Sequence, residues 1–240
     1  MRILSIIGRI FYGIAIAAMG FQTIYYRDFP YMLIPPKHSW LSDHVIVVYL
    51  SGALLILAGA CIVLEKKARL VSLLLGTILL LIFCFYFIPY ELGASSRYMH
   101  FGDWENAAKE LALAGGAFVI AGLPLGAVLY SLTIISFSID HFLYAKAAAG
   151  YVPAWIPNPV FWIYFAGVAL LGAGIAILLK IRPRLFAALL GSMILIWVII
   201  LHIPKSIASP TAGMGGEVTS AFLALAYCGI AFVIAGAAKK

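Results

Sequence analysis

Eight stretches of this chain, each near twenty residues and almost free of charge, follow one another at 4–26, 44–64, 69–89, 106–122, 124–144, 159–179, 184–204 and 218–237. A helix rises about 1.5 Å per residue, so a run of that length crosses a hydrocarbon core of roughly 30 Å. With 65% hydrophobic and 10% charged residues, the chain has too little polar surface to cover a soluble domain. Barrel strands alternate polarity over about ten residues, whereas the run from Leu54 to Leu64 is apolar throughout. The expectation is an all-α membrane protein of eight transmembrane helices, with the lipid bilayer as its main partner.

The net charge of +7 points to one side of a membrane rather than to nucleic acid. Arg2, Lys66, Lys67, Arg69, Lys180, Arg182, Arg184, Lys239 and Lys240 fall at the ends that eight spans place with both termini. Arg27, Lys37, Arg97, Lys109, Lys146 and Lys205 fall at the other ends, and Arg9 lies within the first span. The excess of basic residues puts both termini in the cytoplasm and the loops around 27–43, 91–105, 145–158 and 205–217 outside. Cys61, Cys84 and Cys228 all lie in apolar spans and form no C-x-x-C pair, so neither dithiol chemistry nor a zinc site is supported. The apolar run behind Arg2 has the pattern of a leader peptide, but the internal repeat marks it as a span.

That repeat is the second constraint. Ala117-Phe118-Val119-Ile120-Ala121-Gly122 recurs as Ala231-Phe232-Val233-Ile234-Ala235-Gly236, 114 residues later. Tyr49 and Gly52 match Tyr164 and Gly167, Arg69 and Gly76 match Arg184 and Gly191, and Ile88-Pro89 matches Ile203-Pro204, all at 115. Tyr26 matches Tyr144 and Pro35 matches Pro153 at 118. The reading is two four-span units, 1–122 and 123–240. An even number of spans per unit makes the repeats parallel, related by an axis along the membrane normal. The link Gly122–Gly126 is too short to separate two domains, so one fused bundle is expected.

The copies differ most in their ionisable residues. Gln22-Thr23 stands where the second copy has Asp140-His141, and Phe87 stands where it has His202. An acid and a His near the end of an apolar span are costly unless they have partners or water, which makes them a default site. The plain alternative is that both sit in the headgroup layer with Trp155 and Trp162 as interfacial anchors. Asp140 and Tyr144 share a helix face, while His141 points roughly 100° away. An outward-opening pocket between the fifth and seventh spans, lined by Asp140 or His141 with His202, Trp155, Trp162 and Lys205, would suit a quinone headgroup. A haem has only His141 and His202 as a ligand pair and no further support. His100, Asp103 and Glu105 form a secondary site with metal-ligand residue types, but Asp103 and Glu105 equally suit a helix N-terminus, and no metal is assigned. No phosphate loop or nucleophile elbow is present, and no catalytic residue is identified.

Gly8-Arg9 with Gly13 and Gly20, the Asp-His-Phe-Leu-Tyr exit at 140–144, Val152-Pro153-Ala154-Trp155-Ile156-Pro157 leading to Phe161-Trp162, and Leu201-His202-Ile203-Pro204 together resemble the DoxX-like bacterial membrane proteins. The match runs from about Ser138 to Pro204 and is weaker over 1–122. The resemblance implies a four-helix inner-membrane unit and a role beside quinone or a redox protein partner in redox or stress chemistry. A transporter or lipid-binding protein is the alternative, because parallel duplicated halves also suit a translocation path.

Overall fold

The computed structural model describes residues 2–35, 43–94 and 101–238, without the side chains of Arg2, Ala94 and Asp103. Every long element among them is helical: α1 (Arg2–Tyr26), α2 (Val45–Val63), α3 (Ala68–Ile82), α4 (Glu105–Ile120), α5 (Pro124–Leu143), α6 (Ala145–Ala148), α7 (Pro159–Leu178), α8 (Pro183–Trp197), α9 (Ile203–Ala208) and α10 (Ala212–Ala237). Proline opens α5, α7 and α8, where its missing N–H costs nothing and its fixed φ suits a first turn. A π-helical turn prolongs α3 at Phe83–Phe87 and α8 at Val198–His202, each running into an Ile-Pro pair.

Seven of these helical stretches are long and apolar enough to cross a membrane, and the chain is a multi-pass membrane protein. The fourth expected span is the exception. It is α4, 16 residues long and carrying Glu105, Lys109 and Glu110. That length is about 24 Å, short of the hydrocarbon core. The physical reason is enclosure: Ala107, Glu110 and the run Ala112–Phe118 are buried by protein, so α4 need not match lipid in length or polarity.

The packing is a closed ring with a centre. α1 lies against α10 and α2, α5 against α4 and α7, α3 against α4, and α8 against α10, while α4 and α10 meet in the middle. Exchanging α1 for α5, α2 for α7, α3 for α8 and α4 for α10 maps these contacts onto themselves. Individual residues follow the same exchange. Tyr12 donates its hydroxyl to the Leu113 carbonyl at 2.7 Å, and Tyr130 donates to the Tyr227 carbonyl at 2.8 Å. A methyl group on Gly8 would strike the Gly229 carbonyl, and one on Gly126 would strike the Gly115 carbonyl. These glycines let backbones approach closely, the usual basis of helix association in lipid.

Gly8 meets Gly229 and Gln22 meets Gly215, so α1 and α10 run antiparallel and both ends of the chain lie at one end of the bundle. At that end Arg9 donates to the Ile62 and Val63 carbonyls, closing the C-terminus of α2, and pairs with Glu65 at 3.2 Å. The short turns there repeat too: Glu65 and Lys67 adopt left-handed φ of 61° and 51°, as do Lys180 and Arg182 with 58° and 42°.

Candidate functional site between α4 and α5

The end of the bundle away from the termini carries Asp140 and His141, and two interfaces related by the helix exchange can be compared there. In the first, α1 meets α10. Gln22 and Thr219 are buried, with the Thr219 hydroxyl 3.1 Å from the Gln22 side-chain oxygen and the Gln22 amide donating to the Gly215 carbonyl at 3.2 Å. All of these groups are neutral and satisfied. The turn that allows this is strained: Gly213, Met214 and Gly215 are all left-handed, with φ of 55°, 54° and 74°.

In the second interface α5 meets α4, and Asp140 and Glu105 occupy the positions matching Gln22 and Thr219. Lys109 binds Glu105 at 2.7 Å and donates to Asn106 at 3.3 Å, with only 16% of its side chain exposed. Both Asp140 carboxyl oxygens are buried and have no hydrogen-bond partner among the described residues. The charges acting on Asp140 are Glu105 and Lys109. Next to it, His141 places Nδ1 2.7 Å from the Phe137 carbonyl. A carbonyl only accepts, so Nδ1 carries the proton there and Nε2 of the neutral ring is left as an acceptor. Asp140 and His141 therefore offer acceptors without donors, which suits a ligand that brings hydroxyl or ammonium hydrogens.

Tyr31 links this cluster to an apolar groove. Its ring lies 5.9 Å from Lys109 Nζ. Phe29, Leu33 and Ile34 of the same short segment close one end of a groove of about 420 Å3 between α2 and α3. Leu54, Leu57, Leu74 and Ile78 line the groove and remain more than half exposed, so it opens sideways to lipid. Its volume is in the usual range of ligand pockets, about 300–1,000 Å3. At the matching positions of α8, Val71, Ile78 and Ile82 are replaced by Phe186, Met193 and Trp197, bulkier side chains suited to filling such a gap.

The residues expected to share a pocket do not all meet. α5 packs on α4 and α7, whereas α8 and the turn bearing His202 pack on α10. The charge acting on His202 is Lys205 alone. Lys205 itself sits 3.8 Å from the centre of the Tyr151 ring. Trp155 is 72% exposed, and Trp162 donates to the Pro157 carbonyl at 3.1 Å, holding the loop rather than facing Asp140. Of the secondary set, Glu105 joins the Asp140 cluster. Asp103 belongs to a 3-10 turn, Phe101–Trp104, and His100 lies outside the described residues.

Two members of the region were not singled out from the sequence. In the sequence Lys109 counts only among the basic residues at the outer span ends, and Glu110 has no role assigned. The signal for both was their counterparts, Leu223 and Ala224, which show that the fold places these positions among apolar neighbours. No family model, no curated protein and no solved structure matches this chain.

Proposed function

We propose that the chain is a DoxX-like inner-membrane protein that binds a quinone-type amphiphile, preferring its hydroquinone form, with the head at Asp140 and His141 and the tail in the groove between α2 and α3. The observation that carries the reading is the buried, unpartnered carboxylate of Asp140 beside the Lys109–Glu105 pair, where the matching interface has a satisfied amide and hydroxyl. An acceptor buried without a donor is costly, and a ligand that supplies the donor recovers that cost. The segment Phe29–Ile34 borders both the head site and the tail groove. The function proposed is binding of the amphiphile, with a redox protein as the partner that the resemblance implies.

The reading includes the architecture. Two parallel four-helix repeats, 1–122 and 123–240, form eight spans with α4 as the fourth, both termini in the cytoplasm and the Asp140 cluster facing outward. The common exchange of contacts, from Tyr12 and Tyr130 to the paired glycines, supports the duplication.

Quinone-free nanodiscs titrated with a short-chain hydroquinone test the function through tryptophan fluorescence. Saturable quenching is expected, weakened at least about tenfold by Asp140→Asn, which corresponds to about 1.4 kcal/mol, and weakened as well by Ser51→Phe in the groove. Quenching that never saturates, or that both variants leave unchanged, would overturn the proposal.

A further inference from the structure

Glu110 is the acid that the Asp140 cluster does not use. It is fully buried on α4, and neither carboxyl oxygen has a hydrogen-bond partner among the described residues. Lys109, next to it in the chain, is committed to Glu105 and Asn106. A carboxylate held in such a place with neither donor nor cation is costly, and acids of this kind within membrane bundles mark proton or ion paths.

The elements around α4 narrow what Glu110 can do. From α1, the Tyr12 hydroxyl comes close enough to feel its charge but is spent on the Leu113 carbonyl. From α10, Tyr227 feels the charges of both Glu110 and Glu105, and its hydroxyl is buried and unpartnered. From α5, Asp140 and His141 are coupled to Glu105 instead, and the Tyr130 hydroxyl is spent on the Tyr227 carbonyl. On the remaining side, α3 and its π-helical turn carry Arg69, Cys84 and Tyr86 as their titratable groups. No cation acts on Glu110, whose one resolved influence is burial. Glu110 on α4 and the Tyr227 hydroxyl on α10 are thus two buried polar groups without a hydrogen-bond partner among the described residues, on the two helices that meet at the centre of the bundle.

We propose that Glu110 is a proton-carrying carboxyl at the centre of the bundle and that it exchanges its proton through the Tyr227 hydroxyl. The Tyr227 oxygen accepts a proton from hydronium as it releases its own to the Glu110 carboxylate, so one proton advances and no electron moves. The site takes protons whether or not the protein binds an amphiphile, and it gives the molecule a means of coupling protons to a ligand or to transport.

Infrared spectroscopy of the purified protein in nanodiscs tests this with no ligand present. The wild type should show a protonated-carboxyl band that shifts on transfer to deuterated water, and Glu110→Gln should remove it while Asp140→Asn retains it. Tyr227→Phe should keep the band and slow its isotope shift at least about tenfold. Mapping of dicyclohexylcarbodiimide adducts by mass spectrometry locates the carboxyl in the unaltered protein, should Glu110→Gln fail to fold. An adduct on the Glu110 peptide is expected. No band and no Glu110 adduct in the wild type would overturn the site; exchange as fast in Tyr227→Phe as in the wild type would overturn the route.

Discussion

The Thr219 hydroxyl stands 3.1 Å from the side-chain oxygen of Gln22, and the positions matching these two residues in the other half are held by two acids, Glu105 and Asp140. One interface is therefore neutral and closed, while its counterpart keeps a carboxylate without a donor. The same position should respond to substitution with opposite sign in the two halves. Asp140→Asn removes a buried charge that no hydrogen bond satisfies and that shares Lys109 with Glu105, and should raise stability by about 1 kcal/mol. Gln22→Leu removes its hydrogen bonds with Gly215 and Thr219 and should lower stability by about 1–2 kcal/mol. Thermal unfolding in detergent measures both, and two changes of the same sign would contradict the account.

The paired tyrosines give a test that needs no ligand. Tyr12→Phe and Tyr130→Phe each remove one buried hydrogen bond to a carbonyl, an expected loss of about 0.5–1.5 kcal/mol apiece. They share no partner, so the double variant should lose the sum. Unfolding curves of the four proteins decide it.

Close helix contact depends on a few glycines and not on glycine as such. Gly115→Ala and Gly229→Ala would press a methyl onto the backbone of the neighbouring helix, whereas Gly172 has nothing within 4 Å of an added methyl. The first two should destabilise by about 1–3 kcal/mol, as overpacking does. Gly172→Ala should be neutral or slightly stabilising, since alanine is the better helix former. Melting temperatures of the three variants provide the comparison.

Placement of the termini in the cytoplasm is checked by cysteine labelling in a background free of Cys61, Cys84 and Cys228. A cysteine at Lys67 should resist an impermeant reagent added to intact cells, and one at Lys146 should react. The reverse pattern would invert the protein in the membrane.

His202 lies apart from Asp140, on a turn packed against α10 with Lys205 as its charged neighbour. His202→Phe places the residue of the matching position, Phe87, and should leave hydroquinone binding within about twofold of the wild type. A larger loss would bring His202 back into the site.

Helices and most of their boundaries were legible because apolar runs bounded by basic turns have one economical use. The rest was not, and the reasons are specific. Matching offsets pair Tyr12 with Tyr130, but they say which residues are equivalent and not which are adjacent. Nothing in them announces that α1 turns away from α4 to lie on α10. Asp140 was visible as an unusual acid, yet its neighbours were sought on the same repeat, at His202, when they come from α4 of the other. Glu105 carries ordinary helix-start chemistry in its local sequence, and only its burial partner Lys109 gives it another role. Seven long spans and a short enclosed one follow from the same cause, because a helix surrounded by protein escapes the length rule that lipid imposes.

The pairing of α1 with α10 also has a consequence for how the molecule is made. α1 leaves the ribosome well before α10, its main partner, so the ring cannot close until α10 has been made. Until then the face of α1 carrying Gly8, Tyr12 and Gln22 must wait in lipid or on a helper protein, and a chain stopped before α10 would leave it uncovered. Quality control of this protein thus has a natural reporter: the uncovered face of α1.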